Sequence, residues 1–143
     1  MNREMKFRVW EKESKTMRNV AGLKWYIDIP QNHDTDDTIQ EVVLHPRYTV
    51  AFEEVILMQY TGLKDKNGVE IYEGDIVQVR VGKNTKGDSL MDTANVEWRD
   101  CSWRFQLHNP FDEEDCYAQE WHTDETEVIG NIYENPELIK NDE

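Results

Sequence analysis

Cysteine is scarce in this chain: Cys101 and Cys116 are the only two in 143 residues. Their spacing matches no zinc motif, so neither a disulfide scaffold nor a thiolate metal site is expected. Long apolar runs are missing too. No stretch of about 20 apolar residues exists to cross a bilayer as a helix, and the polar start MNREMKFR lacks the apolar centre of a signal peptide. A cytoplasmic protein with free thiols is the expectation. Also missing are a nucleophile elbow, a phosphate loop, an HExxH run and any other spacing that would bring an acid, a base and a nucleophile together. The chain is therefore expected not to be an enzyme and to need no cofactor.

Positive charge is the scarcest commodity at the C-terminal end. Residues 1–107 hold 18 acidic and 15 basic side chains, whereas His108–Glu143 holds 12 acidic residues and one basic, so -11 of the net -14 falls in the last quarter. Such a surface repels nucleic-acid phosphates and favours basic partners. The densest run, Asp112, Glu113, Glu114 and Asp115, is the candidate protein-contact surface. The plain alternative is a solvated face that keeps a small protein soluble.

What the chain does have is aromatic area. Five Trp, six Tyr and four Phe supply enough apolar surface to argue against wholesale disorder, and a chain of this length suits one domain that buries roughly 68–70% of its unfolded surface. The richest stretch is Leu57–Val81. Asp65-Lys66-Asn67-Gly68 predicts a type I turn followed by a positive φ at Gly68, hence a hairpin. Tyr72-Glu73-Gly74-Asp75 is a second turn, and Val77, Val79 and Val81 then alternate with Gln78 and Arg80 as a half-buried strand.

Strands are predicted elsewhere by the same period. Met5, Phe7 and Val9 give a first strand, and Leu23, Trp25, Ile27 and Ile29 a second, ended by Pro30, with Ser14–Gly22 as a connection that has room for a short strand at Met17. Ile39–Leu44 suits either a strand or a helical turn, and Tyr48–Phe52 alternates again. Residues 82–92 show no periodicity and read as a loop. Val96, Trp98, Trp103, Phe105 and Leu107 share one face of a hairpin turning at Asp100-Cys101, and that face reads as core. Glu127–Tyr133 is the closing strand, with Gly130 marking a bulge or a close backbone approach.

Three further groups have ligand or catalytic chemistry but ordinary readings that are stronger. His33, Asp34, Asp36 and Asp37 lie in a polar loop without the Gly and distal Glu of a calcium-binding EF-hand loop. His108, Cys116 and His122 match no zinc framework. Glu73 and Asp75 flank Gly74 as turn residues facing solvent. No metal site is expected at any of them.

Three blocks carry a family resemblance: Lys6–Trp10, Leu57–Val79, and Val128–Leu138 with its VIGNIYENPEL run. In this order they resemble the YopX family of small phage and prophage proteins, while residues 31–53 and 82–125 are unmatched. The resemblance implies an SH3-like β-barrel, a bacterial cytoplasm and a phage or prophage gene, and it implies no activity or site residues. The expected fold is thus mainly β, with few or no helices. Residues 1–53 would form a β-rich region packing on the barrel, residues 54–133 the barrel, and 134–143 a tail. The leading function is a non-enzymatic protein-interaction module with a basic partner, and homo-oligomers are open. The second is a nucleic-acid binder in which Lys83, Lys86, Arg99 and Arg104 line up beside Trp98 and Trp103, against which the paucity of cations argues.

Overall fold

The computed structural model describes residues 4–25, 39–44, 48–107, 116–117 and 123–139, and among them strands dominate, with three short 3-10 turns and no α-helix. The chain divides into two compact units, one of Lys6–Met58 and one of Gln59–Glu143 with Met1–Met5.

In the first unit, β1 (Phe7–Glu11) and β2 (Thr16–Trp25) form a tight antiparallel hairpin in which Glu11 faces Thr16. Lys15, at φ 51, completes the turn. The segment expected to be a connection with room for a short strand at Met17 is therefore mostly strand, and Met17 lies within it. Its period was obscured by the polar Arg18 and Asn19 and by a register shift between Val20 and Gly22, features that only pairing with β1 and β3 explains. β3 (Ile39–Leu44) is a strand because it lies between β2 and β4 (Tyr48–Ala51), whose backbones satisfy its own. A 3-10 turn at Phe52–Glu54 follows, and then β5 (Val55–Lys64) begins. Val9, Val42, Leu44 and Val55 form the core of this unit, with Val20, Leu23, Val50 and Leu57 packed against it. Each fully buried side chain of this kind is worth roughly 1.5–3 kcal/mol.

β5 continues into the second unit, where it folds back on β6 (Glu70–Tyr72). A five-stranded antiparallel sheet follows. Its order is β10 (Cys116–Tyr117), β9 (Ser102–Leu107), β8 (Ser89–Arg99), β7 (Asp75–Lys83) and β11 (Glu127–Asn131). Among the described residues it is an open sheet with β10 and β11 as its edges. Its core contains Val77, Val79, Ala94, Val96, Trp103 and Phe105 from the sheet and Ile71 from β6, with Leu63 and Val128 packed against them. Trp98, expected in this core, is 50% exposed. It pairs directly with Trp103 across the hairpin, one residue from the turn, and packs edge to face on that ring, so Trp103 is the member of the pair that enters the core, at 7% exposed. Asp100 and Cys101 make that turn at φ 49 and 63, as a two-residue type I′ connection requires.

The expected loop at 82–92 is largely strand as well. β7 runs to Lys83 and β8 starts at Ser89, separated by a turn that repeats the Asp65 turn atom for atom. In the first, the Asp65 carboxylate accepts the amides of Asn67 and Val69, while the Gly68 amide donates to the Asp65 carbonyl. In the second, Asn84 Oδ1 accepts the amides of Lys86 and Asp88, and the Gly87 amide donates to the Asn84 carbonyl. Both glycines have positive φ, 78 at Gly68 and 86 at Gly87. The shared pattern is an Asp or Asn three residues before Gly.

Gly68→Val is expected to cost roughly 1 kcal/mol or more, since a β-branched residue fits positive φ poorly. Lys66→Ala should be nearly neutral: its 2.9 Å pair with Glu127 is solvent-exposed and worth little. Equal midpoints for the two variants in chemical denaturation would contradict this.

Gly130 shows both expected features. The β7–β11 register shifts between Val128 and Gly130, and a Cβ added at Gly130 would meet Asn135 Oδ1 at 2.5 Å.

Candidate functional site

The acidic run Asp112, Glu113, Glu114 and Asp115 lies outside the described residues, as do His33, Asp34, Asp36, Asp37, His108 and His122. Among the described residues no group of three or more His, Cys, Asp or Glu is arranged to hold a metal ion. Cys101 is a free, exposed thiol.

Five other acids of the last quarter are described, and two of them are neutralised by cations from earlier strands. Arg80 on β7 reaches Glu125 at 2.7 Å, and Lys66 reaches Glu127 at 2.9 Å. The charge segregation of the sequence is thus partly undone in three dimensions. Asp124, Glu134 and Glu137 are exposed.

The four cations proposed as a phosphate track are not brought together. Lys83 faces Ser89 at the start of β8, and Trp98 lies nine residues further along it, about 30 Å at the usual strand rise. Arg99 lies 3.7 Å from Glu97 and 4.0 Å from Asp100, and Arg104 lies 3.3 Å from Asp100. Acids therefore interleave with the arginines. Trp98 and Trp103 meet edge to face with centroids 4.8 Å apart, so the tryptophans contact each other.

Glu73 and Asp75 are not the solvent-facing turn residues expected. Asp75 is 1% exposed and its Oδ2 accepts the Tyr72 amide at 2.8 Å, which closes the second turn from inside. Burial pushes the Glu73 carboxyl up, against an opposing backbone hydrogen bond with Gln59. The Tyr72 hydroxyl donates to Glu70 at 3.0 Å, and its ring lies 5.4 Å from that of Tyr60.

Two clusters escaped sequence reasoning. The first is a brace. Asp65 is 6% exposed, and besides its two turn amides its Oδ2 accepts the Val128 amide at 2.9 Å, while the Lys66 amide donates to the Thr126 carbonyl at 3.0 Å. The hairpin tip is thereby tied to the start of β11. Burial would raise the Asp65 carboxyl, but the amides of Val128, Val69 and Asn67 and the Lys66 charge outweigh it and hold the group below its ordinary range. The Asp-x-x-Gly pattern marked the turn; nothing in it marked the partner 63 residues away.

The second cluster lies in the first unit. Glu11 accepts from Arg18 Nε at 2.7 Å and from the Tyr48 hydroxyl at 3.0 Å, and the Arg18 guanidinium lies 5.3 Å from the Tyr48 ring centre. Burial works against ionised Glu11, and its bonds with Arg18, Tyr48 and Ser14 overcome it, lowering its pKa. These contacts fix the Tyr48 ring at the start of β4.

Two antiparallel sheets, cores of aliphatic and aromatic residues, and turns locked by Asp and Asn side chains define the class: a small two-unit all-β protein. The chain belongs to the YopX family, whose model matches residues 6–140. Among solved structures it is similar to protein EF1440 from Enterococcus faecalis, at 25% identity and a TM-score of 0.64, over 97% of this chain and 100% of that one. It is also similar in fold to protein yopX from Bacillus subtilis, at 22% identity and a TM-score of 0.55, over 94% of this chain and 98% of that one. No curated protein matches it.

Proposed function

We propose that this protein is a non-enzymatic interaction module, a phage or prophage accessory protein of the bacterial cytoplasm, that engages a basic protein through its acidic C-terminal quarter. The observation that carries this reading is the charge distribution, with 12 acidic residues against one basic in His108–Glu143. Asp112, Glu113, Glu114 and Asp115 are the contact residues in this reading. An SH3-like arrangement of the second unit accompanies it, supported by the way Leu63 and Ile71 of the β5–β6 hairpin share one core with the five-stranded sheet. Nucleic-acid binding has less support, because the cations it would use lie far apart or beside acids.

The test is a tagged pull-down from host cells during prophage induction, followed by association kinetics with the partner recovered. Replacing Asp112, Glu113, Glu114 and Asp115 by Asn and Gln is expected to leave the thermal midpoint unchanged and to slow association about tenfold or more, since surface charge acts on encounter. Binding by the unmodified chain should weaken as salt rises and the screening length falls below about 8 Å. Full binding by the neutral variant with no salt dependence would return the acidic run to a solubility role. A salt-sensitive gel shift with nucleic acid would favour the other reading.

A further inference from the structure

We propose that Asn67 is a site of spontaneous deamidation in this chain, and that the Asp65 turn sets the rate at which it reacts. The inference is independent of the acidic surface and of any partner.

The reaction needs an asparagine whose side-chain carbonyl carbon can be reached by the backbone nitrogen of the next residue. Asn67 is the only asparagine in the chain followed by glycine, whose missing Cβ leaves that nitrogen least crowded. Its side chain is exposed, and the side-chain amide has no hydrogen-bond partner among the described residues. A Cβ added at Gly68 would meet nothing within 4 Å, so no neighbouring group shields the approach. Asn84 and Asn131 are held differently. Asn84 Oδ1 accepts the Lys86 and Asp88 amides while Nδ2 donates to Asp88, and Asn131 Oδ1 accepts the Tyr133 and Glu134 amides while Nδ2 donates to Glu134. The residues that follow them, Thr85 and Ile132, each place a branched Cβ beside the nitrogen.

In the reaction the Gly68 nitrogen bonds to Asn67 Cγ and gives up its proton, the Cγ–Nδ2 bond breaks, and the NH2 group leaves with that proton as ammonia. Water then opens the succinimide at either carbonyl carbon. Release of the Gly68 nitrogen from Cγ leaves Asp at position 67, and release from the main-chain carbonyl leaves isoaspartate. One water enters and one ammonia departs, with no oxidation or reduction.

The fold opposes the first step. The Gly68 amide donates to the Asp65 carbonyl at 3.0 Å, and the amides on either side of it, those of Asn67 and Val69, donate to Asp65 Oδ1 at 2.8 and 2.9 Å. Attack requires the Gly68 nitrogen to lose its proton and turn towards Cγ, so the turn has to open first. The Asp65 charge beside it also disfavours a negative nitrogen. The reaction rate therefore follows the population in which this turn is locally open. Isoaspartate puts one more carbon into the main chain between the Asn67 and Val69 amides, which pulls them out of register with Asp65 Oδ1 and weakens the tie from Asp65 Oδ2 to the Val128 amide.

Incubation at mildly alkaline pH, read by peptide mass spectrometry, tests this. In urea the exchange of NH2 for OH is expected first at Asn67, and Asn67→Gln, whose longer side chain closes the ring poorly, should remove it. In the folded chain the same exchange should run at least about tenfold slower than in urea, the ratio that corresponds to an opening cost of about 1.4 kcal/mol. Asp65→Ala, shown to be folded by circular dichroism, should react faster than the unmodified chain; if that variant fails to fold, the comparison between folded chain and urea carries the test. The isoaspartate form, separated by ion exchange, should melt below the unmodified chain. An Asn67 that stays unmodified while other asparagines react, equal rates in the folded chain and in urea, a folded Asp65→Ala variant no faster than the unmodified chain, or an isoaspartate form with an unchanged melting midpoint would overturn the proposal.

Discussion

Val79→Asp is expected to unfold the protein at room temperature, because it places a carboxylate at a position 0% exposed in the core of the second unit. An unpaired charge in such a site costs several kcal/mol, against a total stability of about 5–15 kcal/mol for a domain. The cross-strand neighbour makes matters worse. Val79 pairs with Asp92, whose Oδ1 accepts the Thr93 amide and whose Oδ2 is buried with no hydrogen-bond partner among the described residues. A second carboxylate opposite would add repulsion at low dielectric. Gln78→Asp, one residue away on the other face, is half-buried and should cost only about 1 kcal/mol, mostly through repulsion by Glu127 across the β7–β11 pair. Thermal melts by circular dichroism compare the two. Equal, small shifts would mean that the face assignment of β7 is wrong.

Asp65→Asn is expected to cost about 2–3 kcal/mol, far more than Asn84→Asp in the matching turn. An amide at 65 can still accept the two turn amides, as Asn84 does, but its NH2 would then confront the Val128 N–H that Oδ2 now accepts. Two donors would face each other at a buried site, and a charge-assisted bond would be lost. Asn84 has no such remote partner; its Nδ2 donates to the neighbouring Asp88 in an exposed turn.

The difference at Asp65 should depend on pH. Its folded carboxyl ionises below the ordinary value of 3.8, so the stability it contributes is fully present above that value and is lost as pH falls through the folded pKa. The gap between the unmodified chain and Asp65→Asn should therefore be flat from neutrality down to about pH 4 and close below it. Chemical denaturation at several pH values measures this. Equal costs at 65 and 84, or a gap unchanged at low pH, would remove Asp65 from its role as a brace.

Local rules read much of this chain correctly where they had two independent signals. At β7 the alternation of Val77 and Val79 with Gln78 and Arg80 sits directly after a Gly turn, and both valines are buried. At Asp65–Gly68 the turn residues and the flanking strands agree, and Gly68 has the positive φ expected. The rules failed where one signal was missing. Residues 82–92 lack periodicity, so the Asn84–Gly87 turn passed as loop although it carries the same chemistry as Asp65–Gly68. At Trp98 the period placed both tryptophans of the hairpin in the core, but a period does not say which of two cross-strand partners is covered, and only Trp103 is.

By itself the sequence determined the strand-rich composition, the turns that need glycine, the family blocks and the concentration of acid in the last quarter, because each depends on residues adjacent in the chain or on a simple count. Only the tertiary structure decided that Ile39–Leu44 is a strand, that Asp65 reaches Val128, that Arg80 and Lys66 neutralise Glu125 and Glu127, and that Lys83 stands far from Trp98. Each of those depends on which strands become neighbours. A β-strand leaves its hydrogen-bonding groups to be satisfied by residues elsewhere in the chain, so local residue preferences can propose the strand while its partner fixes the register and the surroundings of every side chain on it.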